Sequence, residues 1–198
     1  MKLYKLLRCV LIPVALLAGV SLCGCGGTTQ RIPIKEAESM FTMAYANEDH
    51  TEMAQIDITE DLPWYDDLIK LCKRINGWPE EKMLPATYHY EEDGKLLVTS
   101  EEIENSIVFQ IKLPDTDPND DIREHHIITF ALWALTENRC YLSLDDNFFR
   151  FTEETEHTVN QEEWVYEDKT AWEMIAELET AIQKTAAEMA EAEKQETE

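Results

Sequence analysis

The apolar residues of this chain change their period near Ala86, from three- and four-residue steps to alternation, and that switch constrains the fold more than any motif. Upstream, Ile34, Ala37, Phe41, Ala44 and Tyr45 recur at helical spacing behind Pro33, predicting an amphipathic helix that ends at Asn47-Glu48-Asp49. Residues 51–56 continue it after a break, with Thr51 as cap and Met53 and Ile56 inward. Asp61 and Pro63 start the next helix, Trp64, Leu68, Leu71, Cys72 and Ile75 form one face, and Asn76-Gly77 supplies a left-handed stop.

Downstream, Thr87-Tyr88-His89-Tyr90 and Lys95-Leu96-Leu97-Val98 flank Glu91-Glu92-Asp93-Gly94, the pattern of a hairpin with Gly94 at positive φ. Residues 106–113 and 127–135 alternate, Thr136-Glu137-Asn138 turns into a strand over 139–144, and Asp145-Asp146-Asn147 turns into Phe148-Phe149-Arg150-Phe151. Strands joined by short polar turns after a run of helices predict an α+β domain over 35–151, N-terminal helices packed on a curved antiparallel sheet. Residues 152–163 are polar, acidic and free of glycine, an exposed connector. In 164–198, Trp172, Ile175, Leu178, Ile182, Ala186 and Met189 mark one helix of roughly 30 Å at 1.5 Å per residue. Its stripe suits its own sheet better than a coiled coil with another chain, since only about two or three heptads are present.

Glycine supply narrows the chemistry. Beyond residue 27 the chain has only Gly77 and Gly94, too few for a phosphate cradle, a dinucleotide fingerprint or a nucleophile elbow. His-Glu-x-x-His, Cys-x-x-Cys and kinase signatures are absent from the sequence. The charge, −24 for 198 residues, argues against a nucleic-acid surface, which needs clustered Lys and Arg. It would also be repelled by anionic lipid headgroups, and it serves solubility or draws cationic partners.

Asp115-Thr116-Asp117-Pro118-Asn119-Asp120-Asp121 echoes the start of a calcium loop, but Asp120 stands where glycine is needed and His126 where a bidentate Glu is needed, so it reads as a solvated turn. His125-His126 opens a strand, where neighbours point to opposite faces, so at most one lines a common site, with Glu124 placed to orient one of them. Trp64, Tyr65, Trp78, Tyr88, Tyr90, Trp133 and Tyr141 suit core packing first and a pocket wall second. The candidate pocket is His89, Tyr90, His126 and Trp133. No catalytic residue, metal or cofactor is assigned.

Lys2, Lys5 and Arg8 precede a run from Cys9 to Leu22 that is almost wholly apolar, the n- and h-regions of a secretory signal, too short at 14 residues for the roughly 20 a bilayer span needs. Leu22-Cys23-Gly24-Cys25, which closes it, resembles the lipobox of bacterial lipoproteins, with Leu three positions before the cysteine and a small residue next to it. That resemblance implies a signal peptide over 1–24, cleavage after Gly24, a palmitate-bearing lipid on Cys25, a tether over 25–34 and a mature chain held at the cell membrane, facing outside the cytoplasm. The mature chain then carries 14 cations against 41 acids, a net charge of −27. With Cys25 acylated, Cys72 and Cys140 remain as a pair, either a disulfide or two separate buried thiols.

Phe41-x-x-Ala44-Tyr45-Ala46-Asn47-Glu48-Asp49 on a helix, then strands ending in Arg139-Cys140-Tyr141-Leu142-Ser143-Leu144, resemble the NTF2-like superfamily over roughly 35–151. The resemblance implies an NTF2-like or cystatin-like cone, a sheet wrapped around a helix and enclosing a pocket. Cys140 stands where such proteins often show Trp, the C-terminal helix is extra, and no catalytic Asp–His pair transfers. The expected function is a non-enzymatic anchored module that binds a small apolar or amphipathic ligand, or a protein partner, through the sheet domain. An NTF2-like enzyme using His126 or His89 as base, and a scaffold recruiting a partner through the C-terminal helix, are the alternatives.

Overall fold

The computed structural model describes residues 31–47, 49–88, 94–116, 123–151 and 155–196. It is an α+β fold: among the described residues an eight-stranded mixed sheet of order β2-β1-β5-β6-β7-β8-β3-β4 is joined by two α-helices. The strands are β1 (Ser39–Tyr45), β2 (Met53–Asp57), β3 (Leu84–Tyr88), β4 (Leu96–Val98), β5 (Ile103–Leu113), β6 (Arg123–Leu135), β7 (Arg139–Phe151) and β8 (Thr155–Glu167); the helices are α1 (Tyr65–Asn76) and α2 (Lys169–Glu196).

The N-terminal helix expected behind Pro33 is not formed. A short 3₁₀ turn at Ile34–Glu36 leads into β1, and the segment after the break is β2, antiparallel to it. Helical spacing coincided here with a strand whose buried residues are Met40, Thr42 and Ala44, two apart, and the buried Thr42 hydroxyl donates to the Val108 carbonyl at 2.6 Å. Helix α1 forms as expected, with Leu68, Leu71, Cys72 and Ile75 buried, but Gly77 ends it at φ −90°, in the right-handed region. The expected hairpin of β3 and β4 is instead a parallel pair, Ala86 beside Leu96 and Tyr88 beside Val98. Gly94 does take φ +84°, while residues 89–93 lie outside the described chain.

The long antiparallel ribbon β5-β6-β7-β8 carries the fold. Glu137 and Asn138 turn at φ 62° and 58°, and β6 and β7 then pair without interruption from Leu135↔Arg139 to Arg123↔Phe151. Asp145-Asp146-Asn147, expected as a turn, runs straight through β7, because β6 and β8 satisfy its backbone on both sides. The expected connector at 152–163 is mostly strand for the same reason: β8 pairs with β7 from Thr155 to Glu167.

One sheet face, with Ile107, Phe109, Ile111, Phe130, Leu132, Ala134, Cys140 and Leu142, is covered by both helices. Ala171, Ile175, Leu178, Ile182 and Ala186, three and four apart along α2, supply the stripe that closes this core. The long helix thus packs on its own domain, as its short heptad run suggested. On the opposite face a smaller cluster joins Ala86, Val98, Leu135, Tyr141 and Val165. Among the described residues no helix is long and apolar enough to cross a membrane.

Asp168 ties these parts together. Its carboxylate caps α2 by accepting from the Thr170 and Ala171 amides, both at 3.1 Å. The same group accepts from Arg74 Nε at 2.7 Å and Nη2 at 2.8 Å, and from Trp78 Nε1 at 2.9 Å. Burial opposes its ionisation, and the Arg74, Trp78 and Ala171 donors overcome that, holding the carboxyl below its ordinary value.

Candidate functional site

Where β6, β7 and β8 run past the helices, the sheet stops being core. Side chains alternate between its faces, so residues of one parity share a face across all three strands. The even-numbered set belongs to the helix-covered face. There His126 Nε2 lies 2.7 Å from Asp146 Oδ1, and Phe148 stands edge-on to the imidazole at 5.5 Å. Glu124, expected to orient a histidine, instead accepts the Thr116 amide at 2.9 Å and sits 3.4 Å from Arg150 Nε. The Thr116 donors, aided by Arg150 and against the effect of burial, hold its carboxyl below the ordinary range.

The odd-numbered face carries an aromatic row. Phe149 stacks on His157 at 4.0 Å with planes 7° apart, Phe151 lies 6.4 Å further along, and His125 meets Phe151 edge-on at 5.3 Å. Phe151 is 41% exposed and Val159, next along β8, 56% exposed. His125 and His126 therefore take opposite faces, as their adjacency required.

Of the candidate pocket, His126 and Trp133 are among the described residues, and they do not share a face. Seven residues from His126, Trp133 falls on the other face of β6, stacked on Tyr141 at 4.4 Å with Tyr88 edge-on at 4.7 Å. His89 and Tyr90 lie outside the described residues, as do Cys25 and residues 117–121 of the acidic loop. Trp64, Trp78 and Tyr141 are core residues, the first donating to Thr185 Oγ1 at 2.9 Å and the last to Glu163 at 2.8 Å. Cys72 on α1 and Cys140 on β7 are free, fully buried thiols. Desolvation pushes both thiols up, Cys140 to about 12.

An open cleft of about 540 Å³ lies elsewhere, against β3, β4 and β8, lined by Lys82, Leu84, Leu96, Arg139, Val165 and Tyr166 with Glu167. Arg139 is engaged there by Glu102. No group of three or more His, Cys, Asp or Glu side chains able to hold a metal occurs among the described residues.

Sequence reading missed His157 and Phe149 as partners and Asp146 as the carboxylate beside His126. Only knowledge of strand register brings them together, although the Asp before Lys169-Thr170-Ala171 was a readable cap signal for α2.

Fold and surface define a class no narrower than an α+β domain, a mixed sheet closed on one face by helices. Protein-family models, curated proteins and solved structures contain no match to this chain.

Proposed function

We propose that the chain is a lipid-anchored extracytoplasmic interaction module that presents the free end of its β6-β7-β8 ribbon to a protein partner. The observation that carries this reading is the contrast between the two halves of the ribbon. The inner half is filled by α2, with Phe130, Leu132 and Leu142 at 0% exposure, while the outer half sets Phe151, His157 and Val159 toward solvent, with Phe149 half-buried against His157. Such a half-polar ribbon end buries little apolar surface of its own, and exposed aromatic rows favour contact surfaces. Anchoring rests on Leu22-Cys23-Gly24-Cys25 and on acyl chains worth roughly 0.8 kcal/mol per buried methylene. An NTF2-like or cystatin-like cone remains the finer fold proposal: the meander with a helix on its inner face supports it, and the leading strand pair β1-β2 departs from it.

A photo-crosslinking residue at Phe151 tests the reading in intact cells, with Met43, 46% exposed on β1, as the control position. A discrete adduct from position 151 alone is expected; no adduct, or the same adducts from both, would refute it. Palmitate labelling that survives Cys25→Ala would remove the anchor. The enzyme alternative draws on the His126–Asp146 pair, with His126 as base, and predicts that His126→Ala leaves crosslinking intact while abolishing a turnover. The scaffold alternative requires the α2 stripe, whose members Ile175 and Leu178 are buried against the chain's own sheet.

A further inference from the structure

The outer half of β8 is an open strand edge. Its inner side pairs with β7 at every residue from Thr155 to Glu167, without a bulge. Its outer side meets β3 only at Leu84↔Val165 and Pro85↔Trp164, so among the described residues no strand pairs with 155–163 there. Residues 155–162 are all exposed. Natural edges of this length are usually blunted by Lys, Pro, a bulge or a covering loop. This one has no proline and no lysine, and Thr155, Thr158 and Val159 favour strand geometry.

We infer that this edge is a β-augmentation site for an extended, cationic segment of another protein, which adds as a further strand beside β8. The inference rests on the interaction-module reading and specifies its partner. Unpaired backbone groups along 155–163 supply affinity in this mode, and alternate side chains supply specificity. On one face the incoming strand meets Glu156, Thr158, Asn160 and Glu162, with Asp146 one strand further in and Arg150 beside Glu156. On the other it meets His157, Val159 and Gln161, next to the Phe149 ring. Residues 155–167 include Glu156, Glu162, Glu163 and Glu167 and no Lys or Arg, in a chain of net charge −24. The fitting strand alternates, with Lys or Arg opposite the glutamates and apolar residues opposite His157 and Val159. A second copy fits poorly: the antiparallel register that uses all of 155–163 is centred on Val159 and sets Glu156 against Glu162 twice, and like charges directly opposite destabilise a pair.

The test uses the full chain in detergent and a labelled nonapeptide, Val-Lys-Val-Thr-Val-Thr-Val-Lys-Val, whose palindromic order suits either strand direction. Saturable binding is expected, about tenfold weaker for the peptide with Glu in place of both Lys, and about tenfold weaker when alternate backbone amides are N-methylated on the bonding side. Glu156→Lys with Glu162→Lys, both at exposed side chains, should reverse the preference toward the Glu peptide. Thr158→Pro and Val159→Pro form a second pair: adjacent amides point to opposite sides, so one removes an outward N–H and leaves the fold intact by circular dichroism while weakening binding. Equal binding of the unmethylated and N-methylated peptides would overturn the inference as mere charge adsorption. So would a dimer in sedimentation that the tolerated proline variant dissolves, since the occupant would be a second copy. A crosslink at Phe151 in cells, with no strand-specific peptide binding, would sink the edge proposal and leave the interaction reading standing. Failure of both would remove both.

Discussion

Replacing Asp168 with Ala removes three things at once, and the structure sets the size of each. The α2 cap formed with the Thr170 and Ala171 amides is worth about 1 kcal/mol. Charge-assisted bonds from Arg74 contribute about 1.5–3 kcal/mol at most, less here because the Arg74 side chain is 43% exposed and water screens it. Trp78 Nε1 would be left buried without its acceptor at about 1–3 kcal/mol. These effects share one carboxylate and are not additive, so a loss of about 3–4 kcal/mol is expected, or roughly 6–16 °C in Tm for a chain of this size. Asp168→Asn keeps the cap and one acceptor and should lose about half as much. Because the folded carboxyl lies below its ordinary value, the ionised form favours folding. That contribution is complete above about pH 4 and is lost as pH falls through the lower folded value. Thermal melts of wild type and Asp168→Ala at pH 7 and in acid check both parts: the gap should be wide at pH 7 and narrow in acid. A Tm change under about 2 °C at pH 7, or a gap unaltered in acid, would show that Asp168 does not tie α1 and Trp78 to the start of α2.

Leu178, 2% exposed under the α2 stripe, should cost about 2–5 kcal/mol when changed to Ala, and urea titration would show a lower midpoint with an unchanged slope; a slope change would mean α2 undocks. Cys72 and Cys140 should resist a thiol reagent at pH 8 in the folded chain and react once it is denatured, since their thiols are buried and pushed far up; rapid labelling of native protein would contradict that. The Thr116 amide resonance should report Glu124 ionisation with a midpoint below the ordinary glutamate value of about 4.3, moving up in Arg150→Ala; a midpoint at or above that value in wild type counts against the Thr116 bond.

Legibility in the sequence followed burial. Helix α1, the inner halves of β5 to β7 and the stripe of α2 were readable, because each buries one face and the buried residues print their period. Strand β1 was misread because Phe41, Ala44 and Tyr45 mimic helical steps, whereas the residues that reach the core are Met40, Thr42 and Ala44, one of them polar. The parallel pairing of β3 with β4 had no local signal, since Gly94 at positive φ fits a hairpin equally well.

The largest misreadings fell on 145–147 and 155–163, and their cause bears on function. Asp145, Asp146, Asn147, Glu156, Asn160 and Gln161 have low strand propensity and carry no apolar alternation, so local rules place turn and connector there. What holds them extended is the ladder itself, β7 gripped between β6 and β8 and continuous with the core residues at its inner end. A ribbon that needs its own inner half to stay folded, and buries little apolar surface at its outer half, adds frayable backbone at a conformational-entropy cost of about 1–2 kcal/mol per residue. Hydrogen exchange should therefore show protection falling along β8 from Val165 toward Thr155. Saturating an added strand on 155–163 should restore protection at the outward amides of β8 and leave those of α1 unchanged, whereas a ligand in the Lys82–Arg139 cleft would protect β3 and β4 instead. The two binding modes thus leave different marks on the same molecule.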